Sequence, residues 1–197
     1  MNLVFATNNF NKLMEINQLI SNKINILSLK DINCHSKIPE TNPTLIQNAF
    51  QKAEFIYEKF GLNSFADDTG LEIDALFGEP GVYSARYAGE ECNAFQNIQK
   101  VLKKLDGVSN RKAVFKTVIA LIINGQKFSF EGSVHGVITS DLIGENGFGY
   151  DPIFRPLSYN QTFAQMSIEE KGSISHRGIA IGKLVEFLSD TNNYKNI

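Results

Sequence analysis

Cysteine is scarce in this 197-residue chain: only Cys34 and Cys92 occur. They lie far apart and outside any metal-ligand spacing, so they read as free thiols rather than a disulfide or a zinc site. Charge of one sign is also lacking. Nineteen Lys and Arg face 21 Asp and Glu, a net charge of −2. That balance excludes a general binder of nucleic acid or membrane surfaces, because phosphate-backbone affinity comes from clustered basic residues. Any phosphate binding must come from a local site. No apolar run approaches the length of a membrane helix, and Met1 leads into a strand pattern rather than a signal peptide, so the expected compartment is the cytoplasm. No repeat, low-complexity tract or linker interrupts the chain. The length suits one large domain or two small lobes with a proper core, and 43% hydrophobic and 20% charged residues are ordinary for a globular protein.

What is present gathers around Asn63 to Gly89. An apolar run ends in Asp67 and Asp68, and Thr69-Gly70 predicts a turn straight after them. A second short strand is expected over Leu71 to Asp74, followed by a glycine- and proline-rich loop ending in Arg86. Carboxylates at a strand edge beside a loop holding a cation suit a magnesium-phosphate site, since Mg²⁺ takes one or two carboxylates and completes its shell with water and phosphates. Alternatively the two acids simply open a turn. Adjacent residues of a strand face opposite ways, so Asp68 is expected to face a ligand and Asp67 to support it.

Other stretches carry chemistry of the same kind. Leu3 to Ala6 reads as a buried strand feeding Thr7-Asn8-Asn9-Phe10-Asn11-Lys12 and then a helix to about Ser21, with Leu13, Ile16, Leu19 and Ile20 on one face. A polar turn between strand and helix offers free N–H groups and the positive end of the helix dipole, an anion site. Lys12 there is unfavourable by about 0.3–1 kcal/mol unless an anion meets it. The turn reads equally as a plain Asn/Thr cap with an exposed lysine. A strand is expected over Ile24 to Leu29. After an irregular segment containing Glu40, Asn42 is expected to cap a helix with Pro43 at its first position and a buried stripe of Ile46, Ala49, Phe50, Ala53, Ile56, Tyr57 and Phe60, stopped by Gly61. Glu40 is either a solvated acid or a second carboxylate of the metal site.

Asn93 to Leu105 predicts a helix with Phe95, Ile98, Val101, Leu102 and Leu105 inward. Residues 112–123 and 126–139 flank Asn124-Gly125, a strong hairpin signal. His135, in the second of these strands, reads as a packed or surface histidine. The loop Asp141 to Gly149 is rich in glycine and leads into the run from Phe148 to Phe154. There Phe148, Gly149, Tyr150 and Asp151 either pack on the core or present an aromatic to a base, a stacking contact of about 1–3 kcal/mol. Ser167 to Lys171 reads as a helical turn, and Ser175 as the cap of a last helix. His176 and Arg177, in that helix's first turn, stand at the wrong end for cations. With Lys171 they suit an anionic or carbonyl-bearing ligand. The pattern is mixed α/β, strands alternating with helices and a long antiparallel hairpin added.

With these stretches located, the chain resembles the inosine triphosphate pyrophosphatase family, hydrolases of non-standard purine nucleoside triphosphates. The resemblance rests on TNNFNKLMEI (7–16), PETNPTLIQNAFQKA (39–53), FADDTGLEIDALFGEPGVYSARYAG (65–89), GFGYDPIF (147–154) and EEKGSISHRGIA (169–180), in family order across essentially the whole chain. It implies a single domain over 1–197: an elongated mixed β-sheet with flanking helices and two lobes around a central nucleotide-binding cleft. It also implies a homodimer, Mg²⁺ as cofactor, a nucleoside triphosphate as substrate, and pyrophosphate and the monophosphate as products. By family motif Thr7 to Lys12 cradles the phosphates, Asp68 is general base and metal ligand, Glu40 is a second metal carboxylate, and Thr69 contacts substrate. Phe148, Gly149, Tyr150, Asp151, Lys171, His176 and Arg177 match base- and phosphate-binding positions. On this reading Phe148 stacks on the purine and His176 or Arg177 donates to a 6-oxo group. Three positions depart from the pattern: Asn8 replaces a small residue, Asn42 a glycine and Gln47 a glutamate, the last putting the second metal shell in doubt. A Maf-like pyrophosphatase acting on pyrimidine or modified nucleotides, and a catalytically silent nucleotide-binding protein, are the competing readings.

Overall fold

Residues 1–20, 24–190 and 192–195 are described in the computed structural model. The apolar run after Met1 forms β1 (Asn2–Phe5), and α1 (Phe10–Leu19) follows the polar turn. The expected end of that helix at Ser21 lies outside the described residues. Strand β2 (Asn25–Leu27) is shorter than the alternation from Ile24 to Leu29 predicts. Helix α2 (Leu45–Phe60) is capped not by Asn42 but by Thr44, whose hydroxyl accepts the Gln47 N–H. Asn42 is drawn elsewhere: its N–H donates to Asn48 Oδ1 and its amide to Gln51 Oε1, both at 2.9 Å. Gly61 ends the helix at φ 66°, a left-handed cap suited to glycine. Ile46 and, on α3 (Ala94–Lys104), Phe95 are exposed rather than inward; each lies in the first turn, beyond the residues its helix buries.

The central strand β3 runs unbroken from Ser64 to Ile73, so the turn predicted at Thr69-Gly70 does not form. Its neighbours explain this. β3 lies between β1 and β5 (Lys112–Ile123), and its far end pairs antiparallel with β4 (Pro80–Gly81), while the Leu71 N–H donates to Ser84 Oγ at 2.9 Å. With neighbours on both sides, a local turn tendency loses to the ladder. β5 turns into β6 (Gln126–Ile138) through Asn124 and Gly125, both at positive φ, the backbone that a two-residue hairpin requires. Strand β7 (Phe154–Pro156) pairs antiparallel with β6, and α4 (Ile168–Ile174), α5 (His176–Ser189) and α6 (Asn192–Lys195) complete the chain. α4 extends beyond the turn expected over 167–171. Among the described residues seven strands form one sheet in the order β2-β1-β3-β5-β6-β7 with β4 beside β3, and β1 is parallel to both β2 and β3. This is the expected mixed sheet with flanking helices. Among the described residues no helix is long and apolar enough to cross a membrane.

The chain divides into two compact units. The first takes Met1–Asp68, Thr117–Gly132 and the chain from Arg177 onward, and the second takes Thr69–Lys116 and Ser133–His176. In the first unit, alternate residues of each strand leave by opposite faces. Leu3, Phe5, Phe65, Ile119 and Leu121 pack with Ile16 of α1 and Ile181 and Leu184 of α5. Val4, Ala66, Val118, Ala120 and Ile122 pack with Ala49, Ala53 and Ile56 of α2. In the second, Leu71, Ile73, Phe115 and Ile138 pack with Ile98, Val101 and Leu105 of α3 and with Phe154 and Phe163. Each of the Val, Leu, Ile and Phe side chains among these contributes about 1.5–3 kcal/mol by leaving water.

Candidate active site

The two-faced alternation of β3 continues into its acids. Asp67 follows Phe65 to the α1/α5 face, and Asp68 follows Ala66 to the α2 face. Both stand in mid-strand, not at a strand edge as the sequence suggests.

On the first face, Lys12 Nζ lies 3.0 Å from Asp67 Oδ1, so the lysine at the helix start is met by a buried acid rather than left in solvent. Burial depresses the Lys12 ammonium below its ordinary value although Asp67 opposes it. Arg177, 1% exposed, places Nε and Nη2 each 3.1 Å from Asp67 Oδ2 and Nη1 2.5 Å from Glu15 Oε2. Burial pushes the Asp67 carboxyl up, but Lys12, Arg177 and Lys52 outweigh it and hold it well below the usual carboxylate range. The Thr7–Lys12 turn is a self-capped loop: Asn9 Oδ1 accepts the N–H groups of Asn11 and Lys12 at 3.0 and 3.3 Å, and Thr7 Oγ1 accepts that of Asn9 at 3.1 Å. Those N–H groups are therefore not free, contrary to expectation, because the short polar side chains of the turn reach them first. Phe10 is exposed, and so are Asn8, Asn9 and Asn11.

On the second face, Lys52 Nζ stands 3.1 Å from Asp68 Oδ1 and also bonds Glu40 Oε1, and Asn48 Nδ2 is 3.4 Å from Asp68 Oδ2. Burial raises the Asp68 carboxyl above its ordinary value although Lys52 and Lys12 pull it down. Burial also opposes the charged form of Lys52, but Asp68, Glu40 and Asp67 overcome it and raise the ammonium. The Glu40 loop is tied to α2 by the Asn42–Asn48 and Asn42–Gln51 bonds and by Thr41 N–H to Gln51 Oε1 at 3.0 Å. Gln47 is exposed and serves the helix cap, its Oε1 accepting from the Thr44 hydroxyl. It lies outside the acid cluster, so the missing carboxylate at 47 takes nothing from the contacts of Asp68 seen here.

In the second unit, Thr69 is half-buried on β3. Asp151 is buried, and its Oδ2 accepts the Phe148 N–H at 2.7 Å and Lys171 Nζ at 2.6 Å. Gly147 is required there: a Cβ on it would fall 2.2 Å from that same oxygen. Lys171 Nζ also lies 4.9 Å from the centre of the half-exposed Phe148 ring, and Gly149 takes φ 63°. Tyr150 is buried and donates to Ser84 O at 2.8 Å, and burial pushes its hydroxyl well up. His176 is buried, its ring stacked on Phe115 at 4.4 Å and 7°. Of this loop, then, Tyr150 packs inward while Phe148 keeps a face outward.

Lys12, Glu40, Asp68 and Arg177 thus meet in one charged cluster of the first unit, with Asp67 between. Phe148 to Asp151 and Lys171 meet in the second, and His176 lies by the aromatic Phe163 that also faces Lys171. Sequence reasoning missed Glu15, Asn48 and Lys52. A signal existed, since Asn48 and Lys52 stand four apart on the same stripe as Ala49 and Ala53, a polar pair on a buried helix face. Among the described residues no three acids, histidines or cysteines come together to hold a metal. Glu40 and Asp68 are two carboxylates already bracketing a buried cation, which fits the one or two carboxylates a phosphate-bound Mg²⁺ uses.

A sequence model of the Ham1 family matches residues 3–187. The chain belongs to the Ham1 family. Among family relatives, the dITP/XTP pyrophosphatase of Flavobacterium johnsoniae is 52% identical over 191 residues, covering 97% of this chain and all of that one. The dITP/XTP pyrophosphatase of Porphyromonas gingivalis is 51% identical over 94% of this chain and 96% of its own. Solved Ham1 proteins share the fold. Those of Staphylococcus aureus and Coxiella burnetii superpose with TM-scores of 0.87 and 0.88 at 39% and 38% identity, each over 96% of this chain and 98% of theirs.

Proposed function

We propose that this chain is a nucleoside triphosphate pyrophosphatase that hydrolyses non-standard purine nucleotides, ITP, dITP and XTP, to the monophosphate and pyrophosphate. The full-length relation to dITP/XTP pyrophosphatases carries the reading, and the buried acid–cation cluster supplies chemistry suited to it. Our reading assigns the triphosphate to Thr7–Lys12 and the metal to Asp68 and Glu40. Thr69, Phe148–Asp151, Lys171 and His176 are assigned to the rest of the nucleotide. Bound at the two carboxylates, Mg²⁺ would neutralise phosphate charge and lower the pKa of water. Asp68 then orients the attacking water and accepts its proton, a task helped by a carboxyl raised by burial. Lys12 meets the charge gathering on the departing pyrophosphate, and Asp67, itself gripped by Arg177, holds Lys12 in place. Arg177 spends its guanidinium on Asp67 and Glu15, so His176 is the residue we assign to the 6-oxo group. Adenine, with an amino group there, would leave that donor unmatched.

Pyrophosphate release from ITP, XTP, GTP, ATP and dTTP tests the reading: ITP and XTP are expected far ahead, and ATP hydrolysed as efficiently as ITP would refute the selectivity. Asp68→Asn is expected to lower kcat by about 10²–10⁴ with folding intact, and retained turnover would reject Asp68 as the base. We further propose a cytoplasmic homodimer. Its sedimentation mass is expected at twice the 22.0 kDa of one chain.

A further inference from the structure

The α2 face of the acid cluster holds an arrangement that the reaction as described does not need. Lys52 is the ion partner of both carboxylates assigned to the metal, bonding Glu40 Oε1 and standing 3.1 Å from Asp68 Oδ1. It is 4% exposed and rises from the buried stripe of α2. The carboxylates are held apart from it by separate means: Asp68 by the ladder of β3, and the Glu40 loop by the hydrogen bonds of Thr41 and Asn42 to Asn48 and Gln51. The ammonium, in contrast, ends a flexible four-carbon stem with rotatable donors. A dication taken up by the same two carboxylates would stand beside that ammonium in a buried setting, where like charges repel strongly.

We propose that Lys52 is the resident counter-ion of the Glu40–Asp68 pair, and that a divalent cation gains this pair only when nucleotide phosphates draw the Lys52 ammonium away. The inference rests on the metal assignment made above and adds an order to it: the free protein holds metal poorly, and phosphate and metal enter together. Lys52 thereby offsets part of the charge of the buried Asp68 and the half-exposed Glu40 between turnovers and passes to the phosphates as the metal takes its place. It is a positioning residue for the cation.

Binding of Mn²⁺, a paramagnetic stand-in for Mg²⁺, is measured by electron paramagnetic resonance without nucleotide and again with α,β-methylene-ITP. Without nucleotide, Lys52→Met and Lys52→Gln are expected to bind Mn²⁺ at least tenfold more tightly than the wild type, and Lys52→Arg to remain as weak. Circular dichroism checks that each variant is folded, the Gln variant standing in if the Met variant is not. Folded neutral variants that bind Mn²⁺ no better than the wild type, while the analogue still strengthens wild-type binding, overturn the Lys52 inference alone. A wild type that gains no Mn²⁺ affinity from the analogue overturns the metal assignment itself.

Discussion

Asp67 and Asp68 share one charged cluster but bond different cations, because a one-residue step along β3 moves a side chain from the α1/α5 face to the α2 face. Asp67 is held well below the usual carboxylate range, its burial outweighed by Lys12, Arg177 and Lys52. A carboxyl depressed in the folded chain binds fewer protons there than when unfolded, so stability rises with pH across that interval. The contribution is complete above about pH 4, the unfolded value, and is lost as pH falls through the lower folded value. Asp67→Asn removes one partner from a buried charge cluster and is expected to lose about 3–5 kcal/mol at pH 7. Its stability is also expected to fall less steeply than the wild type's between pH 4 and pH 3. Urea unfolding at pH 7 and between pH 4 and pH 3 checks both, and parallel acid limbs would contradict the sign. Asp67, Asp68, Lys12 and Arg177 were plain in the sequence, while Lys52 and Glu15 were not. Lys52 and Glu15 belong to residue types that usually face water, and only a fold that buries their helix faces makes them part of a site.

Among the elements, β3 and α2 do most to position the site, and they differ in how they are specified. α2 is legible locally through an apolar stripe and Gly61 at positive φ, although its cap falls at Thr44 rather than Asn42. β3 is not, since Thr69-Gly70 is a turn by local preference and a strand by pairing. Close approach between strands makes the same point at β6. A Cβ on Gly136 would lie 2.5 Å from Phe154 Cζ and 2.6 Å from Arg155 O across the β6–β7 pair. Gly136→Ala is expected to destabilise by about 1–3 kcal/mol through overpacking. That corresponds to a fall in Tm of about 2–4 °C per kcal/mol for a chain of this size, and calorimetry showing no fall would mean that β7 yields freely.

At the scale of the molecule, a nucleotide bound only by the folded chain must raise its stability by mass action. With Mg²⁺ present, α,β-methylene-ITP at a hundred times its Kd is expected to add about 2.7 kcal/mol, read as a rise in Tm. The adenine analogue at the same concentration is expected to add less, and equal shifts would place selectivity after binding. By itself the sequence determined the mixed α/β class, the hairpin at Asn124-Gly125, most of the core stripes of the helices, the glycine stop of α2 and the family. These depend on periodicity, backbone preference and motif order, all of which act over short stretches of chain. Only the tertiary structure decided that β3 passes straight through Thr69-Gly70, that Asp67 belongs to Lys12 and Arg177, and that Asp68 and Glu40 close on Lys52. Each of those outcomes depends on partners distant in sequence, and the charges settle where burial leaves them no solvent to prefer.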